Sequence, residues 1–305
     1  MKKISIVLLV AIVSFAIYKS KYTNAANETI PLVTNLFEQA IGQGALELKD
    51  INEASGLAAS RSNSKAYWTH NDSGGINRLF LLTTKGVNLG SFILEGIKAR
   101  DWEDMSIGVG PKSGINYLYV ADIGDNRAQY DEKVIYRFPE PDVSNITTPK
   151  VHTISKKQID IIRFQYPDGK RDAETLMVDP QTKDLIIISK REKKVHMYIA
   201  PYPQSLDKIN ILKKVGVLDF QKIVAGDISP NGNEIILKDY NNIYYWKKTA
   251  NESIEALLKS KPKRLPYIPE PQGEAIAWAL DGNGFYTLSE ASFGIDTQLY
   301  FFKRK

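Results

Sequence analysis

The sequence has no cysteine, and only three histidines, four methionines and four tryptophans among its 305 residues. Without thiols it forms no disulfide, no cysteine-ligated zinc site and no iron–sulfur cluster, and it carries no lipid on an N-terminal cysteine. Stability must then come from a large core or from bound metal. Several catalytic signatures are missing as well. There is no Gly-x-Ser-x-Gly elbow, no His-Glu-x-x-His, no phosphate-cradling glycine loop ending in Gly-Lys-Ser/Thr, and no intact EF-hand loop. Long helical periodicity is scarce after residue 45. The remaining composition, 43% hydrophobic and 25% charged, is that of an ordinary globular chain.

Residues 1–25 read as an export segment. Lys2 and Lys3 precede an apolar run from Ile4 to Tyr18, which is short for a bilayer span of roughly 20 residues. Thr23-Asn24-Ala25 supplies a small residue for cleavage, so a signal peptide is expected. Lys19 and Lys21 keep an uncleaved N-terminal anchor as the alternative. Either reading places the folded part outside the cytoplasm, in the periplasm or extracellular space. Residues 26–44 read as a linker and 45–305 as one domain. Setting the first 25 residues aside removes four lysines and takes the formal charge from +5 to about +1. The basic character is thus mostly an export signal, and no nucleic-acid partner is expected. No membrane contact beyond the anchor is expected either, and the expected state is a monomer.

The rest of the chain is built from short β-rich runs separated by Gly, Asn, Asp and Pro turns, such as Tyr67-Trp68-Thr69, Tyr117–Ala121, Leu185–Ser189 and Phe285–Leu288. These runs recur as a unit. Each unit opens on an acid beside small apolar residues: Glu53-Ala-Ser-Gly, Glu103-Asp-Met-Ser, Glu174-Thr-Leu-Met, Asp227-Ile-Ser and Glu274-Ala-Ile-Ala. The openings lie 50, 71, 53 and 47 residues apart. A turn follows, then an apolar second strand ending in polar residues, then a third strand. A period near 50 with several strands per unit is the mark of propeller blades. The expected fold is an all-β, five-bladed propeller; the 71-residue interval holding Gln158–Tyr166 leaves six blades as the alternative. The last unit stops after its third strand, so Ala45–Asp50 is expected to supply the missing one. A ring closed by both chain ends leaves no free sheet edge.

Repetition gives the acids their meaning. Residues at one position of a propeller repeat reappear around the central channel, so Glu53, Glu103, Glu174, Asp227 and Glu274 are expected to converge. Like charges brought together raise one another's pKa unless a cation or hydrogen bonds compensate. An oxygen-rich site of this kind suits Ca²⁺. Asn71, Asp122, Asp125, Asn126 and Glu290 add oxygens from the second-strand ends. The opposing reading is that these acids hydrogen-bond the backbone of the next blade and only buttress the ring. His70, in the polar stretch His70-Asn71-Asp72-Ser73, is a candidate general base or an ordinary turn histidine. Lys190 and Arg191 sit at a second-strand end, placed to hold an anion or to balance the channel acids. His152 and His196 read as structural, as do the tryptophans.

Glu53-Ala-Ser-Gly-Leu-Ala, Trp68-Thr-His-Asn-Asp-Ser-Gly74, Asp101-Trp-Glu-Asp-Met105, Tyr117–Asn126, Asp172-Ala-Glu-Thr-Leu176 and Gly273-Glu-Ala-Ile-Ala277 resemble, in order over about residues 50–300, a family of secreted, largely uncharacterised bacterial propellers. More distantly the repeat is similar to that of calcium-dependent propeller hydrolases: the regucalcin/gluconolactonase group, paraoxonases, β-propeller phytases and calcium-activated nucleotidases. That resemblance implies a channel-bound Ca²⁺ and hydrolysis of a lactone or phosphoester. It transfers only to Glu53 and the other opening acids, since neither a full ligand set nor a general base matches. Three functions follow as expectations. The first is an exported Ca²⁺-dependent hydrolase of a small anionic or ester substrate, with His70, Glu103, Lys190 and Arg191 as catalytic candidates. The second is a non-catalytic propeller that binds a ligand, peptide or glycan on its channel face. A quinone-dependent redox enzyme is the third.

Overall fold

Strands of two to eight residues bounded by turns cannot each bury a face alone, and in the computed structural model they assemble into five radial sheets. The described residues are 30–72, 76–249, 252–292 and 294–305. The export segment 1–25 and Ser73-Gly74 of the first strand-end motif lie outside them. Blade 1 runs outward through β2 (Ala54–Ala59), β3 (Ala66–Asn71), β4 (Arg78–Thr83) and β5 (Asn88–Leu94). Blade 2 contains β6 (Trp102–Val109), β7 (Asn116–Asp122), β8 (Lys133–Pro139) and β10 (Asp160–Gln165). Blade 3 contains β11 (Ala173–Val178), β12 (Leu185–Ser189), β13 (Val195–Ala200) and β15 (Lys213–Leu218). Blade 4 contains β16 (Ile223–Ile228), β17 (Glu234–Asp239), β18 (Ile243–Lys247) and β19 (Lys263–Leu265). Blade 5 contains β20 (Gly273–Trp278), β21 (Gly284–Ser289), β22 (Gln298–Lys303) and, from the other end of the chain, β1 (Ile41–Ala45). The inner strands β2, β6, β11, β16 and β20 pack in that order, and β20 meets β2 to close the ring.

The blade count is five. The segment that left room for a sixth, Gln158–Tyr166, holds β10, which pairs antiparallel with β8 as the outer strand of blade 2. Part of the 71-residue interval is also spent on β9 (Val151–Ile154), which crosses back to lie parallel to β5 of blade 1. In the same way β14 (Asn210–Ile211) runs parallel to β10 of blade 2. These added strands cover edges that would otherwise expose unpaired backbone groups.

Each neighbouring pair of sheets encloses its own apolar core. Trp68, Phe92 and Leu118 fill the space between blades 1 and 2, and Ile162, Leu176 and Tyr198 that between blades 2 and 3. Met197, Leu237 and Trp246 lie between blades 3 and 4, joined there by Leu257 and Leu258 of the short helix α1 (Ile254–Lys259). No described helix is long and apolar enough to cross a membrane.

Closure uses a different segment from the one the sequence pointed to. The outer strand of blade 5 is Ile41–Ala45, paired with β22, rather than Ala45–Asp50. Leu46 and Ile51 instead bury their side chains in the core between blades 5 and 1. The stretch read as a linker, 26–44, is structural over its described part. Leu32 bridges to Arg264 at the edge of blade 4. Phe37 is 1% exposed and packs edge-on against Tyr245 and Phe285 at ring separations of 5.8 and 5.1 Å. Arg304, from the C-terminal end, lies 4.9 Å over the Phe37 ring and pairs with Glu234 at 2.7 Å. The two chain ends are thereby interlocked.

Candidate functional site at the channel mouth

Every inner strand carries a register shift at its start: between Ala54 and Leu57, Trp102 and Asp104, Ala173 and Thr175, Ile223 and Ala225, and Gly273 and Ala275. A bulge of this kind re-aims the extra residue. In blades 2, 3 and 5 that residue is Glu103, Glu174 and Glu274, so these three acids occupy one repeat position. Blade 4 has Val224 there, and blade 1 has Ser55 and Gly56 in the interval. Asp227 lies three residues farther along its strand. Its carboxylate accepts from its neighbour Ile228 N and, across the blade boundary, from Trp278 N, both at 2.8 Å. Asp104 does the same with Met105 N and Leu176 N. Asp227 therefore serves as a buttress and stands apart from the acidic groups described below. Glu53 precedes β2 and aligns with Asp101 and Asp172, two positions before the bulge.

Three overlapping groups of carboxylates have ligand oxygens within 4.8 Å of one another: Asp72–Asp101–Glu103, Asp72–Glu274–Glu290, and Glu103–Asp172–Glu174. Asp72, Asp101 and Asp172 are the members that sequence reasoning passed over. The signal was there, because Asp-x-Glu is repeated as Asp101-Trp102-Glu103 and Asp172-Ala173-Glu174. Asp72 and Glu290 share another repeat position, the residue after the second strand, which Ile123, Lys190 and Tyr240 fill in the other blades.

The electrostatics of the cluster are those of crowded, dry carboxylates. Burial, then Glu174 and Asp72, push the Glu103 pKa well above the ordinary carboxylate range. Burial raises Glu174 as well, against the pull of Lys190. Burial and the neighbouring Glu274 lift Glu290 to about 8. Glu103 Oε2 and Glu174 Oε2 are buried and have no hydrogen-bond partner among the described residues. Gly124 gives these groups their space, since a Cβ there would collide with Glu103 Oε1 and Asp101 Oδ2. An all-oxygen set with unpartnered buried atoms fits a hard cation such as Ca²⁺.

Other sequence candidates fall elsewhere. His70 is fully buried under Gly56, edge-on to Trp102 at 5.6 Å. Burial lowers its pKa to about 4, so it is neutral and has no access to a substrate. The general-base reading is corrected to a packing role. Asn71 ties down the Asp50–Glu53 segment, donating to Asp50 O at 2.7 Å and accepting from Glu53 N at 3.3 Å. Asp122 accepts from Arg100 N and Asp101 N, both at 3.2 Å, and so orients Asp101 from behind. Asp125 is paired with Lys133 at 2.8 Å and organises its own loop; Asn126 is exposed. Lys190 Nζ donates to Glu174 Oε1 and lies 3.7 Å from Glu274 Oε1. Arg191 is half-exposed and bonds Asp172 Oδ2 at 2.6 Å.

Two predictions separate buttress from mouth. Asp227→Ala strips an acceptor from two backbone N–H groups, one in the next blade. It should cost about 2–3 kcal/mol in chemical denaturation, and the response of its melt to added Ca²⁺ should match that of wild type. The second concerns a buried pair between blades 4 and 5. Glu270 Oε1 accepts from Thr287, Oε2 has no partner among the described residues, and Lys238 Nζ donates to Gly273 O. Burial lifts the Glu270 pKa to about 7. A raised folded pKa means the native state holds the proton more tightly, so this contribution is full below about pH 4.5 and lost as pH rises through 7. Glu270→Gln should flatten the stability–pH curve across that window, by up to roughly 3 kcal/mol.

No family model matches the chain, and no curated protein matches its sequence. Among solved structures, the WD40 repeats of RRP9 are similar in fold at 8% identity and a TM-score of 0.38, with 83% of this chain and 67% of that one covered. The Dos1 propeller is similar at 11% identity and a TM-score of 0.38, with 81% and 68% covered. The propeller assignment itself stands on the strand order and ring closure above.

Proposed function

We propose that the chain is an exported, monomeric propeller that binds Ca²⁺ at its channel mouth and uses it to hydrolyse a small anionic ester, phosphoester or lactone. The observation that carries the cation is the pair of buried, unpartnered oxygens, Glu103 Oε2 and Glu174 Oε2, inside the carboxylate cluster. An unpartnered buried carboxylate oxygen costs free energy that a bound cation would recover. Glu103, Asp172 and Glu174 would hold the ion, with Asp101 and Asp72 at its side. Bound there, Ca²⁺ supplies polarisation of a carbonyl or phosphoryl oxygen. Glu290 sits partly open at the rim, where burial and the neighbouring Glu274 raise its pKa, which suits delivery of a proton to a leaving group. Arg191, the more exposed of the two basic candidates, is placed to meet an anionic substrate.

A second reading, a propeller that binds its ligand through Ca²⁺ without turning it over, is favoured by a specific feature. The carboxylate cluster contains no imidazole among its described members, and His70 lies out of reach in the core. Purified residues 26–305 assayed on an ester, lactone and phosphoester panel, with Ca²⁺ and with excess chelator, separate the two. Chelator-sensitive turnover supports the hydrolase. Ca²⁺ binding with no turnover on any of the three classes supports the binding module.

A further inference from the structure

The three bulge acids do not share one environment. Glu103 and Glu174 each keep a buried oxygen without a partner among the described residues, whereas Glu274 Oε1 is approached twice. The Tyr240 hydroxyl donates to it, and Lys190 Nζ lies 3.7 Å away. Lys190 follows the end of β12 in blade 3 and also donates to Glu174 Oε1. Its ammonium therefore stands between the bulge acids of blades 3 and 5. Blade 4, which lies between those two, has Val224 at the bulge and contributes no acid. The lysine spans the gap in the acidic ring.

The surroundings of that ammonium are those of an ion site. Its side chain is only 10% exposed, and its two carboxylate neighbours are 3% and 5% exposed. The Tyr240 ring centroid is 5.4 Å from Nζ, within cation–π range. In the equivalent place of blades 1 and 5 the chain puts Asp72 and Glu290, acids rather than a cation. Ile123 and Tyr240 fill the place in blades 2 and 4, so Lys190 is the one cation at this repeat position, set where two carboxylates would otherwise face each other.

We propose that Lys190 is a tethered cation: its ammonium fills the position between Glu174 and Glu274 that a free cation would occupy, and so confines added metal to the Glu103–Asp172–Glu174 side. This rests on the reading of the mouth as a cation site and assigns that site its stoichiometry. Lys190 acts as a positioning residue, holding Glu174 Oε1 so that Oε2 is left for the metal. Removing the ammonium exposes a second cation site, suited to an ion of like charge and size such as NH₄⁺ or K⁺, or to a second Ca²⁺.

The test is rescue by free cations. Lys190→Ala is melted in choline chloride, KCl, NH₄Cl and CaCl₂ at matched ionic strength, beside wild type. The expected result is a lowered midpoint in choline that recovers by at least half in NH₄⁺ or K⁺, while wild type does not distinguish these salts from choline. Calorimetric titration should give the variant one more Ca²⁺ than wild type. Lys190→Met, which keeps the hydrocarbon stem, should show the same selectivity with a smaller recovery. If both variants are equally weakened in every salt, and their Ca²⁺ stoichiometry equals wild type, Lys190 is an ordinary ion pair and the inference fails. Wild-type Ca²⁺ binding without rescue sinks only this inference. Rescue of the variant by NH₄⁺ with no Ca²⁺ binding by wild type sinks the hydrolase and Ca²⁺ reading, and with it the confinement of metal, but leaves Lys190 as the tethered cation between Glu174 and Glu274.

Discussion

A chain that begins at Leu46 will unfold at far lower denaturant than one that begins at Ile30, or will not fold cooperatively at all. The deletion removes β1, and with it the outer hydrogen-bonded row of blade 5. It also removes Phe37, whose ring is buried among Tyr245, Trp278 and Phe285. Loss of one such phenylalanine costs about 3–5 kcal/mol in lost burial and packing together. The strand pairing and the Arg304 contact come on top. Domains of this kind have only about 5–15 kcal/mol in total, so the expected loss is most of the stability. Urea denaturation followed by tryptophan fluorescence reads this directly, since Trp278 borders the deleted ring. A truncated chain with the midpoint of the longer one would show that the sheet edge of β22 needs no partner.

The second large effect is an inversion of sign. Glu103→Gln should weaken Ca²⁺ binding by at least about 100-fold, the loss expected when one charged ligand of a buried site becomes neutral. In chelator at pH 8, the same variant should be more stable than wild type. Glu103 is buried beside Glu174 and Asp72, and its raised pKa means that ionising it opposes folding. The amide removes that charge at nearly constant volume. In millimolar Ca²⁺ the order should reverse, because the native wild type gains binding free energy that the variant lacks. Thermal melts of both proteins under both conditions give four midpoints. Parallel behaviour, with the variant weaker in both, would mean that Glu103 only supports the fold.

The fold was legible because its signals are local. Short apolar runs such as Leu185–Ser189 and Phe285–Leu288 are strands in the structure, and the period near 50 is the blade. The alternation in Ala45-Leu46-Glu47-Leu48 imitated a strand, while the real closing strand, Ile-Gly-Gln-Gly-Ala, carries no β-branched or aromatic pattern beyond its first residue. Such a strand is made by its partner β22 rather than by its own propensity. The acids were legible as a recurrence but misaligned by the bulge. Glu103, Glu174 and Glu274 are equivalent, yet Asp227 was matched to them by its apolar neighbours, when Val224 holds their place. A two-residue slip likewise set Glu53 in their row. His70 stood in a polar stretch, and only the close packing at Gly56 reveals that its ring turns inward. Lys190 read either as a hand for an anion or as a balance for the channel acids, because sequence does not show which carboxylates meet it; its contacts are with Glu174 and Glu274.

Isothermal titration of Ca²⁺ into metal-stripped residues 26–305 at pH 7 decides whether the channel mouth holds a cation. Saturable binding to wild type is expected, reversed by chelator, retained in Asp227→Ala and lost in Glu103→Gln and Glu174→Gln. Absence of heat and of any melting shift at millimolar Ca²⁺, or equal binding by all four proteins, would contradict a cation site at the channel mouth.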